Sequence, residues 1–200
     1  MRDLEIRGAG NLLGDEQSGH VAALGFELYL SMLDDAVREA GPAGEAEPRE
    51  PVRVDVDVDV YIPGEYVPFE QARIDIHRRV AAAVEVADLG MLREELEDRF
   101  GPAPQPVLNL LALQEARVRF GQAGVRNVGL RGGRLSATPV VLEEAAAASL
   151  ARELPAARYE PGRSLLTLGA GEEPAAQLAQ VGELAGLLAS LAAAGPADGA

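Results

Sequence analysis

The sequence has no cysteine and no tryptophan, and all 18 of its cationic side chains are arginine, so it has no lysine either. Each absence removes a chemistry. Without cysteine there is no disulfide, no thiol nucleophile and no thiolate zinc site. Without lysine no Walker A loop can reach the β- and γ-phosphates of a nucleotide, and no Schiff base can form. Only His20 and His77 remain as imidazoles, a poor set for structural zinc even with carboxylates beside them. Aromatic residues are 4% of the chain, so the core must be built from Leu, Val and Ala. No apolar run approaches the roughly 20 residues that span a bilayer. Met1-Arg2-Asp3-Leu4-Glu5 is charged from the outset and lacks the apolar centre of a signal peptide. A soluble cytoplasmic protein is expected.

What is present is acidic and aliphatic. The 200 residues carry 32 Asp and Glu, giving a formal net charge of -14, and 48% of them are hydrophobic. That is enough apolar material for the core of one or two domains. The alanine- and arginine-rich usage is that of a GC-rich genome. The negative balance argues against a broad grip on DNA phosphates and suits a protein partner better.

The hydrophobic pattern predicts an α+β fold: amphipathic helices packed on one small mixed or antiparallel sheet. Val21, Leu24, Leu28, Met32, Ala36 and Val37 recur at helical spacing over 21–40, and Gly41-Pro42 closes that helix. A Pro-, Gly- and Glu-rich linker follows to residue 50. From Val52 to Ile62 apolar and polar residues alternate strictly, which predicts a half-buried strand. Helices are expected over 69–86, with Ile76, Val80, Ala83 and Val84 inward, and from Asp88 to Phe100, with Leu89, Leu92, Leu96 and Phe100 on one face. A third is expected from Pro106 to Phe120, burying Val107, Leu110, Leu111, Leu113 and Val118. A hairpin is expected over 125–138 around Arg131-Gly132-Gly133-Arg134, then a helix over 143–154, a second hairpin over 158–168, and a last helix over 175–193. There is no internal repeat.

Local constellations yield no active site. Asp55, Asp57 and Asp59 share one strand face, with alternate side chains roughly 7 Å apart. That is a solvated face, or at most a weak divalent-metal site that would need help from another strand. Arg131 to Arg134 resembles an RGG element but occurs once, without aromatics, and a hairpin turn explains it. His77 stands beside Arg78 and Arg79 on a helix surface and has no triad partner nearby. Glu94, Glu95, Glu97 and Asp98, with Arg93 and Arg99, make a charged helix face worth tenths of a kcal/mol per pair.

The first twenty residues are different. Asp3-Leu4-Glu5-Ile6-Arg7-Gly8-Ala9-Gly10-Asn11-Leu12-Leu13-Gly14-Asp15-Glu16-Gln17-Ser18-Gly19 is broken by glycines and has no core pattern. It closely resembles the translocation motif shared by the bacterial transcription-repair coupling factor and the RecG-type DNA translocase. Gly25-Phe26-Glu27-Leu28-Tyr29, the 52–62 run with Tyr61-Ile62-Pro63 and Tyr66-Val67, and Glu94-Glu95-Leu96-Glu97-Asp98-Arg99-Phe100-Gly101-Pro102-Ala103-Pro104 resemble the C-terminal region of the coupling factor alone. The likeness is good to about residue 135 and weakens afterwards.

The resemblance implies a C-terminal fragment of a longer ATP-dependent DNA translocase. Residues 1–20 would be the tail of the second motor lobe, 21–50 a helix and linker, 51–194 a regulatory domain, and 195–200 a disordered tail. The motif residues would be Arg7, Gly8, Gly10, Gly14, Gln17, Ser18 and Gly19, with Arg7 and Gln17 as its key polar pair. ATP and Mg²⁺ would be bound by the parent motor and no cofactor by this chain, which alone would not be an enzyme. The implied partners are the N-terminal UvrA-binding domain of the same protein, UvrA, RNA polymerase, and duplex DNA through the motor. Two other expectations compete: a stand-alone acidic protein-interaction module, and a small metal-dependent enzyme using Asp55, Asp57 and Asp59.

Overall fold

The structure, a computed structural model, describes residues 52–194. Five helices pack on a mixed five-stranded sheet. The elements run β1 (Arg53–Asp55), α1 (Glu70–Ala82), α2 (Val86–Phe100), α3 (Gln105–Gln122), β2 (Asn127–Arg131), β3 (Arg134–Thr138), α4 (Glu144–Glu153), β4 (Arg158–Glu160), β5 (Leu165–Gly169) and α5 (Pro174–Ala193). A short 3₁₀ turn, Pro161–Arg163, joins β4 to β5.

Sheet order is β1-β2-β3-β5-β4. β1 runs parallel to β2, so the chain between them must cross over, and α1, α2 and α3 form that crossover. The remaining pairs are antiparallel. The β2–β3 hairpin closes on the pair Arg131 and Arg134, with Gly132 and Gly133 both at positive φ (57° and 69°). A two-residue turn with both centres left-handed matches the twist of its strands, and glycine adopts it without strain.

Each helix boundary has a local cause. α1 ends at Ala83, whose ψ of 122° is extended. α2 starts on a capping box, in which the Glu85 side chain and the Asp88 carboxylate satisfy each other's backbone N–H groups. It stops at Gly101, with φ 85° and ψ -171°, a backbone region that is essentially glycine's alone. α3 opens with a proline in its first turn, where no N–H is needed.

α3 is the spine. Val107, Leu110, Leu111, Leu113, Ala116 and Phe120 are buried along it, and Phe120 is fully enclosed. α5 lies along α3 and buries Leu178, Val181, Leu184, Ala185, Leu188 and Leu191. Val128, Leu135, Ala137, Leu166 and Leu168 supply the inner face of the sheet.

Four expectations are corrected. The run from Val52 to Ile62 pairs as a strand only over Arg53–Asp55. Beyond Asp55 the chain leaves β2 and crosses the helices, where Asn109 Nδ2 donates to the Asp59 carbonyl at 3.0 Å and Val60 and Ile62 enter the core. The alternation therefore records burial against helices rather than ladder pairing. Val84 is exposed, not inward, because α1 ends before it and helical spacing no longer applies. Val118 is only half-buried, while its neighbour Arg117 is buried on α3, with the Nε and Nη1 of its guanidinium enclosed. Finally, α5 is long and apolar enough by length and composition to cross a membrane, contrary to the sequence estimate. Its buried leucines and Val181 recur at helical spacing and face the protein core.

Candidate functional site

The translocation-motif residues Arg7, Gly8, Gly10, Gly14, Gln17, Ser18 and Gly19 lie outside the described residues, as do His20, the 21–40 helix and the 195–200 tail. The site with defined geometry is the outer face of α1 and α2.

Glu95 projects from α2 between two arginines. Arg79 of α1 donates to it with both terminal nitrogens, Nη1 to Oε1 at 3.0 Å and Nη2 to Oε2 at 2.5 Å. Arg99, one turn along α2, donates Nη1 to Oε1 at 2.9 Å. These hydrogen bonds pull the Glu95 carboxyl down to about 2 and raise the Arg79 guanidinium above its ordinary value. The two-pronged contact joins α1 to α2 at the surface with both planes aligned, above the buried Ile76, Val80, Leu89, Leu92 and Leu96. On the next turn Arg93 pairs with Glu97 at 2.9 Å.

Below this network the Asp98-Arg99-Phe100-Gly101 run acquires its reason. The Arg99 guanidinium sits 5.0 Å from the centre of the Phe100 ring. Phe100 meets Tyr66 edge-on, with centroids 5.8 Å apart. The Tyr66 hydroxyl donates to the Gly101 carbonyl at 3.0 Å and also faces the Leu96 carbonyl at 3.2 Å. It thereby satisfies the carbonyls left open at the end of α2. Burial, with the Glu97 charge nearby, pushes the tyrosine hydroxyl's pKa up. Arg73 Nη1 donates to the Val67 carbonyl at 2.9 Å and holds the same loop.

A shallow depression of about 410 Å³ opens between α1 and α2, lined by Arg79, Ala82, Ala83, Asp88, Met91 and Glu95 with Leu92 at its floor. Met91 is 62% exposed, and Val84, in the link between α1 and α2, is 70% exposed. Large apolar side chains next to a rigid charge network suit protein contact, where apolar anchors and oriented charges act together. A second groove of about 570 Å³ runs between α2, α3 and α5.

The other sequence candidates do not converge. Asp55, Asp57 and Asp59 are exposed, and only Asp55 sits in a ladder. Among the described residues no group of three or more His, Asp or Glu is placed to hold a metal ion. His77 is half-buried rather than on the surface; burial, then the Arg73 charge, lowers its pKa. A Walker A loop cannot be formed, since the chain has no lysine. Sequence reasoning missed the Arg79–Glu95 contact, because it joins two helices sixteen positions apart and no local spacing announces it.

Fold and surface together define a class: an α+β domain with helices packed on a mixed sheet, presenting a charged helical face. The family model of the TRCF domain matches residues 56–147. The chain is 35% identical over 170 residues to the transcription-repair-coupling factor of Mycobacterium bovis, covering 80% of this chain and 14% of that protein. The Staphylococcus haemolyticus protein of the same name is 40% identical over 136 residues, 68% of this chain and 12% of its own length. A crystal structure of the C-terminal domain of transcription-repair coupling factor superposes with a TM-score of 0.61 at 17% identity, over 75% of this chain and 99% of that one. The chain belongs to the transcription-repair coupling factor family, to its C-terminal region. It spans about one seventh of the length of the M. bovis relative, at 14%.

Proposed function

We propose that this chain serves as the C-terminal, autoinhibitory part of a bacterial cytoplasmic transcription-repair coupling factor. In this reading a motor elsewhere in the parent binds ATP and Mg²⁺ and moves along duplex DNA to remove stalled RNA polymerase. Residues 1–20, through Arg7 and Gln17, transmit hydrolysis into movement. The domain from residue 51 packs on the N-terminal UvrA-binding domain of the same protein. It thereby hides the surface that recruits UvrA in nucleotide excision repair and restrains the motor.

The observation that carries this is the α1–α2 face. It offers Met91 and Val84 as apolar contacts beside charges locked in one orientation by Arg79, Glu95 and Arg99. Such a face can be covered in one state and released in another. Its surface charges are partly screened, so its closing free energy stays small enough to reverse.

The test is removal of residues 51–200 from the full parent protein. UvrA affinity and DNA-stimulated ATPase are both expected to rise; no change in either contradicts the proposal. The motor assignment is tested separately. Arg7→Ala or Gln17→Ala in the full protein should abolish polymerase displacement while ATPase persists. Retention of both activities would show that the pair has no part in coupling.

A further inference from the structure

Among the described residues the sheet has one face packed on helices and one open, and the open face carries more arginine than carboxylate. Side chains alternate across each strand, so Val128, Leu135, Ala137, Leu166 and Leu168 point into the core. The opposite parity forms an aligned row: Asp55, Gly129, Ser136, Thr167 and Arg158 stand directly opposite one another on β1, β2, β3, β5 and β4. Toward the hairpin turn the next pair is Arg131 and Arg134. The middle of the face is flat, because Gly129, Ser136 and Thr167 are small. Ser136 Oγ is turned down onto the Gly129 carbonyl at 3.1 Å, and Thr167 Oγ1 accepts from Arg134 Nη2 at 3.1 Å.

With 32 carboxylates for 18 arginines the chain is acidic as a whole, so a face carrying several exposed arginines contrasts with it. On the helices Arg79, Arg93, Arg99 and Arg119 each hold an acidic partner. Arg131 and Arg134 are exposed and form no ion pair among the described residues. Arg158 is 73% exposed and meets Glu160 at 3.3 Å, at the far edge of the same face.

We propose that Arg131, Arg134 and Arg158 on the open sheet face form a docking surface for a short acidic protein segment. Forked guanidiniums around a flat hydroxyl-lined centre fit carboxylates, which accept two parallel N–H bonds. The basic zone is bounded by Asp55 at one edge and Glu160 at the other, so a short anionic stretch fits where a long polyanion meets repulsion. Among the described residues no aromatic side chain stands on this face, so bases find nothing on the strands to stack on and a single-stranded nucleic acid is disfavoured. The net charge of -14 opposes a nucleic acid at longer range as well.

The probe is fluorescein-labelled decaglutamate, titrated with the whole chain and followed by anisotropy, with a single-stranded oligonucleotide of equal charge in parallel. Binding is expected at low salt, to weaken as salt rises, and to weaken about tenfold more in the double variant Arg131→Gln with Arg134→Gln. Arg93→Gln on α2 should leave it unchanged. Arg158→Gln, alone at the β4 edge, should give a partial loss and serves where the double change disturbs the hairpin. No binding of decaglutamate, equal binding by the double variant, or tighter binding of the oligonucleotide would each overturn the proposal. None of these outcomes bears on UvrA recruitment, which is read in the deletion experiment.

Discussion

Glu95 and His77 give the chain two separate responses to acid. The folded Glu95 carboxyl sits at about 2, below its ordinary value near 4.3. Its two arginine contacts therefore favour the folded state above the unfolded pKa, and that contribution fades as pH falls toward 2. The folded His77 value is also lowered, here by burial, so protonating it opposes folding. Its contribution is complete above about 6.5 and fades as pH falls through the lowered value. A denaturant midpoint followed against pH should thus decline first in mildly acid solution and again below about pH 4.3. His77→Asn should remove the first decline and Arg79→Gln reduce the second, and an NMR titration of Arg79→Gln should show the Glu95 carboxyl moving up toward the ordinary range. A carboxyl that stays at about 2 without Arg79 would contradict the pairing. At this scale the sequence was partly legible. The charged α2 face was visible, but neither the Arg79 contact nor the burial of His77 was, since both depend on how α1 lies on its neighbours.

Elements were more legible, because their boundaries are written locally. The glycine pair at the β2–β3 turn, the proline opening α3 and the Phe100-Gly101-Pro102 stop of α2 all stand where the sequence places them. The exception is the valine alternation from residue 52, which predicts a long strand and yields a three-residue one. Period-two burial needs only an extended chain on an apolar surface, and α3 provides that surface as well as β2 does. Two predictions belong here. Gly101→Ala should cost about 1–3 kcal/mol in chemical denaturation, because a side chain at φ 85° and ψ -171° is strained whatever room surrounds it. Tyr66→Phe should cost about 1 kcal/mol, by loss of the hydroxyl that caps the end of α2. A cost near zero for either would mean that the α2–α3 turn is not held as described.

The described domain has α3 as its spine, packed along α5 and against α1, α2 and β1, so its integrity rests on α3. Phe120 is fully enclosed there, and Phe120→Ala should lower stability by about 3–5 kcal/mol. At this scale the α+β class was legible from periodicity, and the family resemblance from a few runs of residues. The packing of α5 on α3 was not, because an apolar helix reads alike whether it meets protein or lipid. The central claim is that the domain from residue 51 covers the UvrA-recruiting surface through its α1–α2 face. The most direct measurement is UvrA affinity of the full parent protein carrying Glu95→Arg with Met91→Glu. The account predicts tighter UvrA binding than the native protein, approaching that of the 51–200 deletion. Native affinity in this variant, with the deletion still raising it, would contradict the α1–α2 assignment; native affinity in both would contradict autoinhibition itself.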